Sequence, residues 1–294
     1  MENELSQERL QASLEIDRLP SIEIVRIIQR EDAIVAAAVA KEEVRMAQAI
    51  DQIAERLRSG GHLFYVGAGT SGRIAMLDAS ELPPTYGVDP TLVRVIMAGG
   101  LEAFNAAVEG AEDSEEAAVA AINAEVKAED AVIGIAASGT TPFTVAALRR
   151  ANMLGALTVG VTSIAGSPLA RECDIAIAPH TGPEVIMGSS RMKSGTAQKL
   201  ILNTISTGVM IRLGKVYSNL MVEMPATNIK LQRRSERMVE LASGARVDVA
   251  RRVLEQSGGN IKLAIIIARS GVSVGEARRL LDQNSGDLRR ALGE

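Results

Sequence analysis

Cysteine occurs once in this sequence, at position 173, and histidine twice, at 62 and 180. One thiol cannot build an intrachain disulfide framework or a cysteine-rich zinc site. Two histidines leave little basis for a histidine metal cluster or a Ser-His-Asp triad. Tryptophan is absent, aromatic residues make up only 2% of the chain, and the net charge is −4. Nucleic-acid binding wants positive potential and stacking rings, and both are missing. The same charge gives no long-range attraction for an anionic ligand, which must be held by local donors. The longest strongly aliphatic run, Leu263 to Ala268, is far too short to span a bilayer. The opening Met1-Glu2-Asn3-Glu4 is acidic and has no apolar stretch, so no secretory signal is expected. A cytoplasmic location and no membrane partner follow as expectations.

What is present is enough apolar material for a sizeable core: 47% hydrophobic against 23% charged in 294 residues, room for one large domain and a small one. Ser21 reads as an N-cap ahead of an apolar stripe, and a long Ala- and Glu-rich helix is expected from about Asp32 to Ser59, stopped by Gly60-Gly61. From residue 62 to about 215 the period alternates. Short continuous apolar runs at 63–66, 93–97, 132–136, 158–162 and 175–178 suit strands buried on both faces. Helical segments are expected near 71–81, 101–125, 140–153 and 191–213. This alternation predicts an α/β fold with a doubly wound, mostly parallel sheet. Beyond Met224, glycines separate short helices at 246–256, 260–269, 273–283 and 286–292. The expected organisation is an N-terminal helical segment (1–60), a sheet domain (61–222) and a small C-terminal helical bundle (223–294). The bundle reads as a packing or oligomerisation module.

Two loops fall at strand ends, where ligands sit in such folds. The first, Gly67-Ala68-Gly69-Thr70-Ser71-Gly72, offers backbone N–H groups and the Thr70 and Ser71 hydroxyls at a helix N-terminus. No lysine follows its glycines, so it is not a nucleotide P-loop, and its spacing does not fit a dinucleotide fingerprint. Alone, it is equally explained as a tight turn. The second, Ser138-Gly139-Thr140-Thr141-Pro142, also follows a strand and opens a helix, with three hydroxyls beside free helix N–H groups. Two such loops on neighbouring strands are much harder to explain as turns alone, and they suit a sugar phosphate. A third hydroxyl cluster, Gly188 to Thr196, precedes a helix. There Ser189 or Ser190 is expected to cap the helix. Lys193 is either solvated or neutralises an anion. Mixed use, capping plus ligand contact, is the reading preferred.

Two carboxylates stand out. Glu81 precedes Pro83-Pro84, which places it at the end of a helix, where the macrodipole opposes negative charge; that setting suits a general acid. Glu112 lies in an acidic stretch (Glu109 to Glu116) whose simplest account is a solvated first helical turn, and spacing alone favours that account.

Together, Gly67–Gly87, Val108–Ser114, Gly134–Pro142, Gly188–Asn203, Asn219–Val222 and Ala226–Asn228 closely resemble the N-acetylmuramic acid 6-phosphate etherase family, within the SIS (sugar isomerase) fold family. The likeness covers most of the chain. The opening Leu5-Ser6-Gln7-Glu8-Arg9-Leu10 departs from that family's Thr-Glu-x-Arg-Asn pattern. The resemblance implies cleavage of the D-lactyl ether at C3 of N-acetylmuramic acid 6-phosphate, giving N-acetylglucosamine 6-phosphate and D-lactate in cell-wall sugar recycling. It further implies Glu81 as acid, Glu112 as base, no metal or redox cofactor, and a homodimer with sites near the subunit boundary. For Glu112 this reverses the reading from spacing. Two alternatives remain open at this point: an aldose–ketose sugar phosphate isomerase of the same fold, and a non-catalytic sugar-phosphate sensor like the glucokinase regulatory protein.

Overall fold

The computed structural model of the chain describes residues 8–106, 108–226 and 228–294. Part of the divergent opening (5–7) and Thr227 of the Ala226–Asn228 match lie outside the described residues. The chain clusters into two compact units: one comprises the chain through Ala79 and Thr91–Thr207, the other Ser80–Pro90 and Gly208–Glu294.

In the first unit, α1 (Ser21–Ala40) and α2 (Glu43–Arg58) precede β1 (Leu63–Gly67). The single long helix expected over 32–59 is therefore two. The break at Lys41-Glu42 has no glycine or proline to announce it; the Lys41 and Glu42 N–H groups turn to Ala38 and Val39. Next come α3 (Gly69–Tyr86), β2 (Val93–Met97), α4 (Glu102–Asn105) and α5 (Glu115–Glu125). Then follow β3 (Ala131–Ile135), α6 (Pro142–Met153), β4 (Leu157–Val161), α7 (Pro168–Arg171), β5 (Ile175–Ile177) and α8 (Lys193–Arg212). The helix expected over 101–125 is interrupted. Ser114 accepts from the Ala117 N–H and starts α5 afresh, and a short 3-10 turn, Ala111–Asp113, precedes it. Glu112 stands in that turn and not in the first turn of a helix.

The five strands pair in parallel in the order β2-β1-β3-β4-β5. Every residue of β1, β3 and β4 is buried, which is why their sequences read as unbroken apolar runs. Phe64, Val66, Val132, Ile122 and Leu148 form part of the core between sheet and helices. Each such side chain stabilises the fold by roughly 1.5–3 kcal/mol on burial. The strand order reverses between β1 and β3, whose C-terminal residues Gly67 and Ile135 lie side by side in register. That switch point is where a doubly wound sheet opens a crevice for ligands.

The second unit carries a two-stranded hairpin, β6 (Val216–Tyr217) and β7 (Leu220–Met221), which the sequence pattern did not signal. Five helices follow: α9 (Ile229–Ser243), α10 (Val247–Gln256), α11 (Ile261–Ser270), α12 (Val274–Gln283) and α13 (Leu288–Ala291). Side chains of Asn228, Asn260, Ser273 and Asp287 cap four of them, each accepting from the N–H three residues on. Lys262 is buried in α11. Its ammonium donates to the Gly214 carbonyl at 2.8 Å, the Gly286 carbonyl at 2.6 Å and the Glu223 carboxylate. Burial pulls this amine below the usual lysine range despite Glu223 beside it.

Candidate active site

The first glycine loop is shorter than its sequence suggests, because α3 already begins at Gly69. Thr70 and Ser71 are thus first-turn residues, both half-buried. Further along α3, Tyr65 of β1 donates to Asp78 at 2.9 Å, and Ser206 of α8 donates to the same carboxylate at 3.2 Å. Burial raises the Asp78 carboxyl above the usual aspartate range, these two hydrogen bonds working against that rise. Burial, then Asp78, pushes the Tyr65 phenol well up.

Ser138 of the second loop accepts from the Thr140 N–H at 3.2 Å and the Thr140 hydroxyl at 2.9 Å. With its acceptor positions used, the Ser138 hydroxyl is left to donate. Gly139 has φ +67°, and a Cβ there would lie 2.1 Å from Ser167 Oγ and 2.7 Å from Thr162 Oγ1. Only glycine fits both the backbone conformation and the space. Thr141 holds the N-cap position of α6 without a side-chain cap bond, and Pro142 follows at the first helical position. One turn in, the buried Thr144 Oγ1 has no hydrogen-bond partner; among the described residues it shares that state with both amide atoms of Gln198, in α8. The start of α6 thus has no side-chain cap, as a helix N-terminus that could accept an anion requires.

The third cluster differs from expectation. Neither Ser189 nor Ser190 caps α8; the buried Glu184 does, accepting from the Lys193 and Ser194 N–H groups at 2.9 Å each. A carboxylate at a helix N-terminus is favourable with the dipole, and it occupies the position an anionic ligand would take. Nor is Lys193 solvated: it is 1% exposed, and its ammonium sits 2.6 Å from Glu31 of α1. Ser189 and Ser190 are half-buried in the turn before α8. The first turn of α8 does meet the first turns of α3. Gly195 has no side chain to hold the helices apart, and a Cβ there would lie 3.5 Å from Ile74, 3.7 Å from the Ser190 carbonyl and 3.8 Å from Thr70.

Glu112 lines a cleft of about 320 Å³ together with Ala68, Gly69, Arg73, Ala103 and Glu109. Arg73 donates from Nε to the Phe104 carbonyl and from Nη2 to the Ala103 carbonyl, both at 2.9 Å. The fold thus brings Glu112 to the first glycine loop, which sequence spacing did not foretell. Glu81 is exposed and is not at the end of its helix: α3 runs on through Pro83 and Pro84 to Tyr86. The prolines cannot donate to the carbonyls four residues earlier. Burial of Leu82 and Tyr86, with the Gly87 N–H on the Pro83 carbonyl at 2.9 Å, holds the last turn instead. Glu81 falls in the second unit and Glu112 in the first. Glu184, Glu31 and Arg73 were not weighed from sequence; for Glu184 the signal was an acid nine residues before a helix start, which pattern reading does not use.

Among the described residues no group of three His, Cys, Asp or Glu side chains could hold a metal ion, and no helix is long and apolar enough to cross a membrane.

The chain is 61% identical to an N-acetylmuramic acid 6-phosphate etherase from Symbiobacterium thermophilum, over 88% of this chain and 86% of that protein. It belongs to the N-acetylmuramic acid 6-phosphate etherase family. A second relative of the same name, from Clostridium beijerinckii, is 51% identical over 92% of this chain and 89% of its own. Within this etherase-family chain, residues 45–152 match the glucokinase regulatory protein N-terminal SIS domain and residues 103–207 the SIS domain. Its fold is similar to a phosphoheptose isomerase from Francisella tularensis, with TM-score 0.54, 19% identity, and coverage of 66% of this chain and 100% of that one. A phosphoheptose isomerase from Neisseria gonorrhoeae gives TM-score 0.50 at 16% identity, over 65% and 98%. At these identities the likeness concerns fold, and it agrees with the parallel sheet and flanking helices of the etherase family member described above.

Proposed function

We propose that this chain is itself an N-acetylmuramic acid 6-phosphate etherase, a carbon–oxygen lyase. It cleaves the D-lactyl ether at C3 of its substrate to N-acetylglucosamine 6-phosphate and D-lactate, a step of cell-wall sugar recycling. The observation that carries this is the 61% identity to a relative of that name over 88% of the chain.

The chemistry follows from the substrate. An ether at C3 resists direct hydrolysis, but the open-chain aldehyde at C1 acidifies the C2 proton. Removing that proton and breaking the C3–O bond expels lactate and leaves an unsaturated aldehyde. Water then adds, its hydroxyl to C3 and a proton to C2. The Glu112 carboxylate takes the C2 proton, and protonated Glu81 delivers a proton to the departing lactyl oxygen. Each positioned transfer is worth about 10²–10⁴-fold in rate. What supports the base assignment is the place of Glu112 in the cleft beside Gly69. Thr70, Ser71 and the second loop from Ser138 to Thr141 grip the phosphate. Their support is the switch-point position and the uncapped start of α6. Ser189 and Ser190 contact sugar oxygens, with Lys193 holding that turn through Glu31. The enzyme works as a homodimer in the cytoplasm, with its sites near the subunit boundary.

Purified protein is incubated with N-acetylmuramic acid 6-phosphate in heavy water, and D-lactate and C2 deuterium are both measured. Release of lactate with deuterium at C2 of the product is expected. C2 exchange without lactate would mean proton abstraction without elimination and would overturn the etherase reading.

A further inference from the structure

The substrate of the proposed reaction carries two anions, a phosphate and the carboxylate of its lactyl arm. The hydroxyl loops offer neutral donors suited to one of them. A carboxylate held in place calls for a charged, forked donor. Lys193 is not that donor, since its buried ammonium is already on Glu31 at 2.6 Å. Arg73 is the one basic side chain lining the Glu112 cleft.

Its geometry is specific. The Nε–H and one Nη2–H, the side-on edge of the guanidinium, donate to the Phe104 and Ala103 carbonyls at 2.9 Å. These two bonds fix the plane of the group against α4. The end-on edge, one N–H from each terminal nitrogen, keeps its capacity for a bidentate acceptor. Among the described residues no carboxylate pairs with Arg73, although Glu109 and Glu112 line the same cleft. A pre-oriented cation without a counter-charge, in the cleft of the C2 base, fits an anionic arm carried on C3.

We propose that Arg73 is the specificity-determining residue for the lactyl carboxylate. It receives that carboxylate on its end-on fork and distinguishes carboxylate-bearing ethers from sugar phosphates that lack the acid. This assignment rests on the etherase reading above. The carboxylate is neither formed nor consumed in the reaction, so Arg73 acts through binding and orientation.

The test compares N-acetylmuramic acid 6-phosphate with the same compound bearing a lactamide in place of the lactate. Both are offered to wild type, Arg73→Lys and Arg73→Met, with N-acetylglucosamine 6-phosphate as a competing ligand lacking the arm. Wild type is expected to prefer the carboxylate in kcat/KM by roughly 10–100-fold, the worth of a charged forked hydrogen bond. In Arg73→Met that preference falls to about 3-fold or less, while the inhibition constant of N-acetylglucosamine 6-phosphate moves by no more than about 3-fold. Arg73→Lys keeps part of the preference, retaining charge without the fork. If Arg73→Met loses activity on both ethers equally and keeps the preference, Arg73 only clamps α4 and the proposal is overturned. Failure of wild type to release any lactate would sink the etherase reading itself, an outcome separable from a preference that survives in Arg73→Met.

Discussion

Tyr65 donates its hydroxyl to Asp78 at 2.9 Å, joining β1 to α3, the two elements on either side of the first glycine loop. Both groups are buried, so the bond forms where water cannot compete, and α3 is held to the sheet by a polar contact inside an apolar layer. Ser206 brings α8 to the same carboxylate. The three elements that carry the first and third hydroxyl clusters are thereby tied at one acid.

Asp78→Asn should change how stability depends on pH. Burial raises the folded-state acid above its unfolded value, so its contribution is fully present below the ordinary aspartate range and is lost as pH rises through the raised value. Asparagine keeps a carbonyl acceptor and cannot ionise. Urea denaturation from pH 4 to 8 should show the wild type losing on the order of 1 kcal/mol that the variant does not lose. Parallel profiles would contradict the buried-acid account.

Glu112→Gln removes the proposed base without changing its shape. Deuterium incorporation at C2, followed by proton NMR in heavy water, should fall by about 10²–10⁴-fold. Binding of N-acetylglucosamine 6-phosphate should stay within a few-fold of wild type. Undiminished exchange would remove Glu112 from that role.

Glu81→Gln should separate the two proton transfers. Lactate release is expected to drop by a similar factor, about 10²–10⁴-fold, while C2 exchange persists because Glu112 is intact. A variant that releases lactate at the wild-type rate would rule out Glu81 as the acid.

Lys193→Met leaves Glu31 with its partner removed. Breaking a buried pair from one side costs about 3–5 kcal/mol, and the partial exposure of Glu31 argues for the lower end. The double variant Lys193→Met with Glu31→Leu should recover most of the loss. Chemical denaturation of the single and double variants measures both, and equal stabilities of wild type and Lys193→Met would show that the ion pair contributes nothing.

Gly139→Ala should be poorly tolerated. The residue sits at φ +67°, and its new methyl would fall 2.1 Å from Ser167 Oγ. Left-handed strain and overpacking together suggest roughly 2–6 kcal/mol of destabilisation, with weaker phosphate binding in whatever folds. A stability within error of wild type, measured by thermal unfolding, would mean that the loop has room the structure does not show.

Strands were legible because a parallel strand buried on both faces must be apolar at every position: Ala131–Ile135 and Leu157–Val161 were each expected within one residue of where they stand. The two hydroxyl loops were legible for a related reason, since each directly follows such a run and opens a helix. Cap residues such as Ser114 and Asn260 also act on their immediate neighbours, which sequence displays directly.

Other features depend on partners far along the chain. Lys193 meets Glu31 across 162 positions, and Glu184 caps a helix that two nearer serines were better placed to cap. Nothing local announces the break at Lys41-Glu42, and buried Leu82 and Tyr86 carry α3 past two prolines that propensity would use to stop it. The placing of Glu112 beside Gly69 belongs to this group too. Local chemistry by itself thus determined the sheet, its loops and the kinds of group they present. Tertiary packing decided which charges are neutralised and which face the cleft, because burial and long-range pairing outweigh the small energies of local preference.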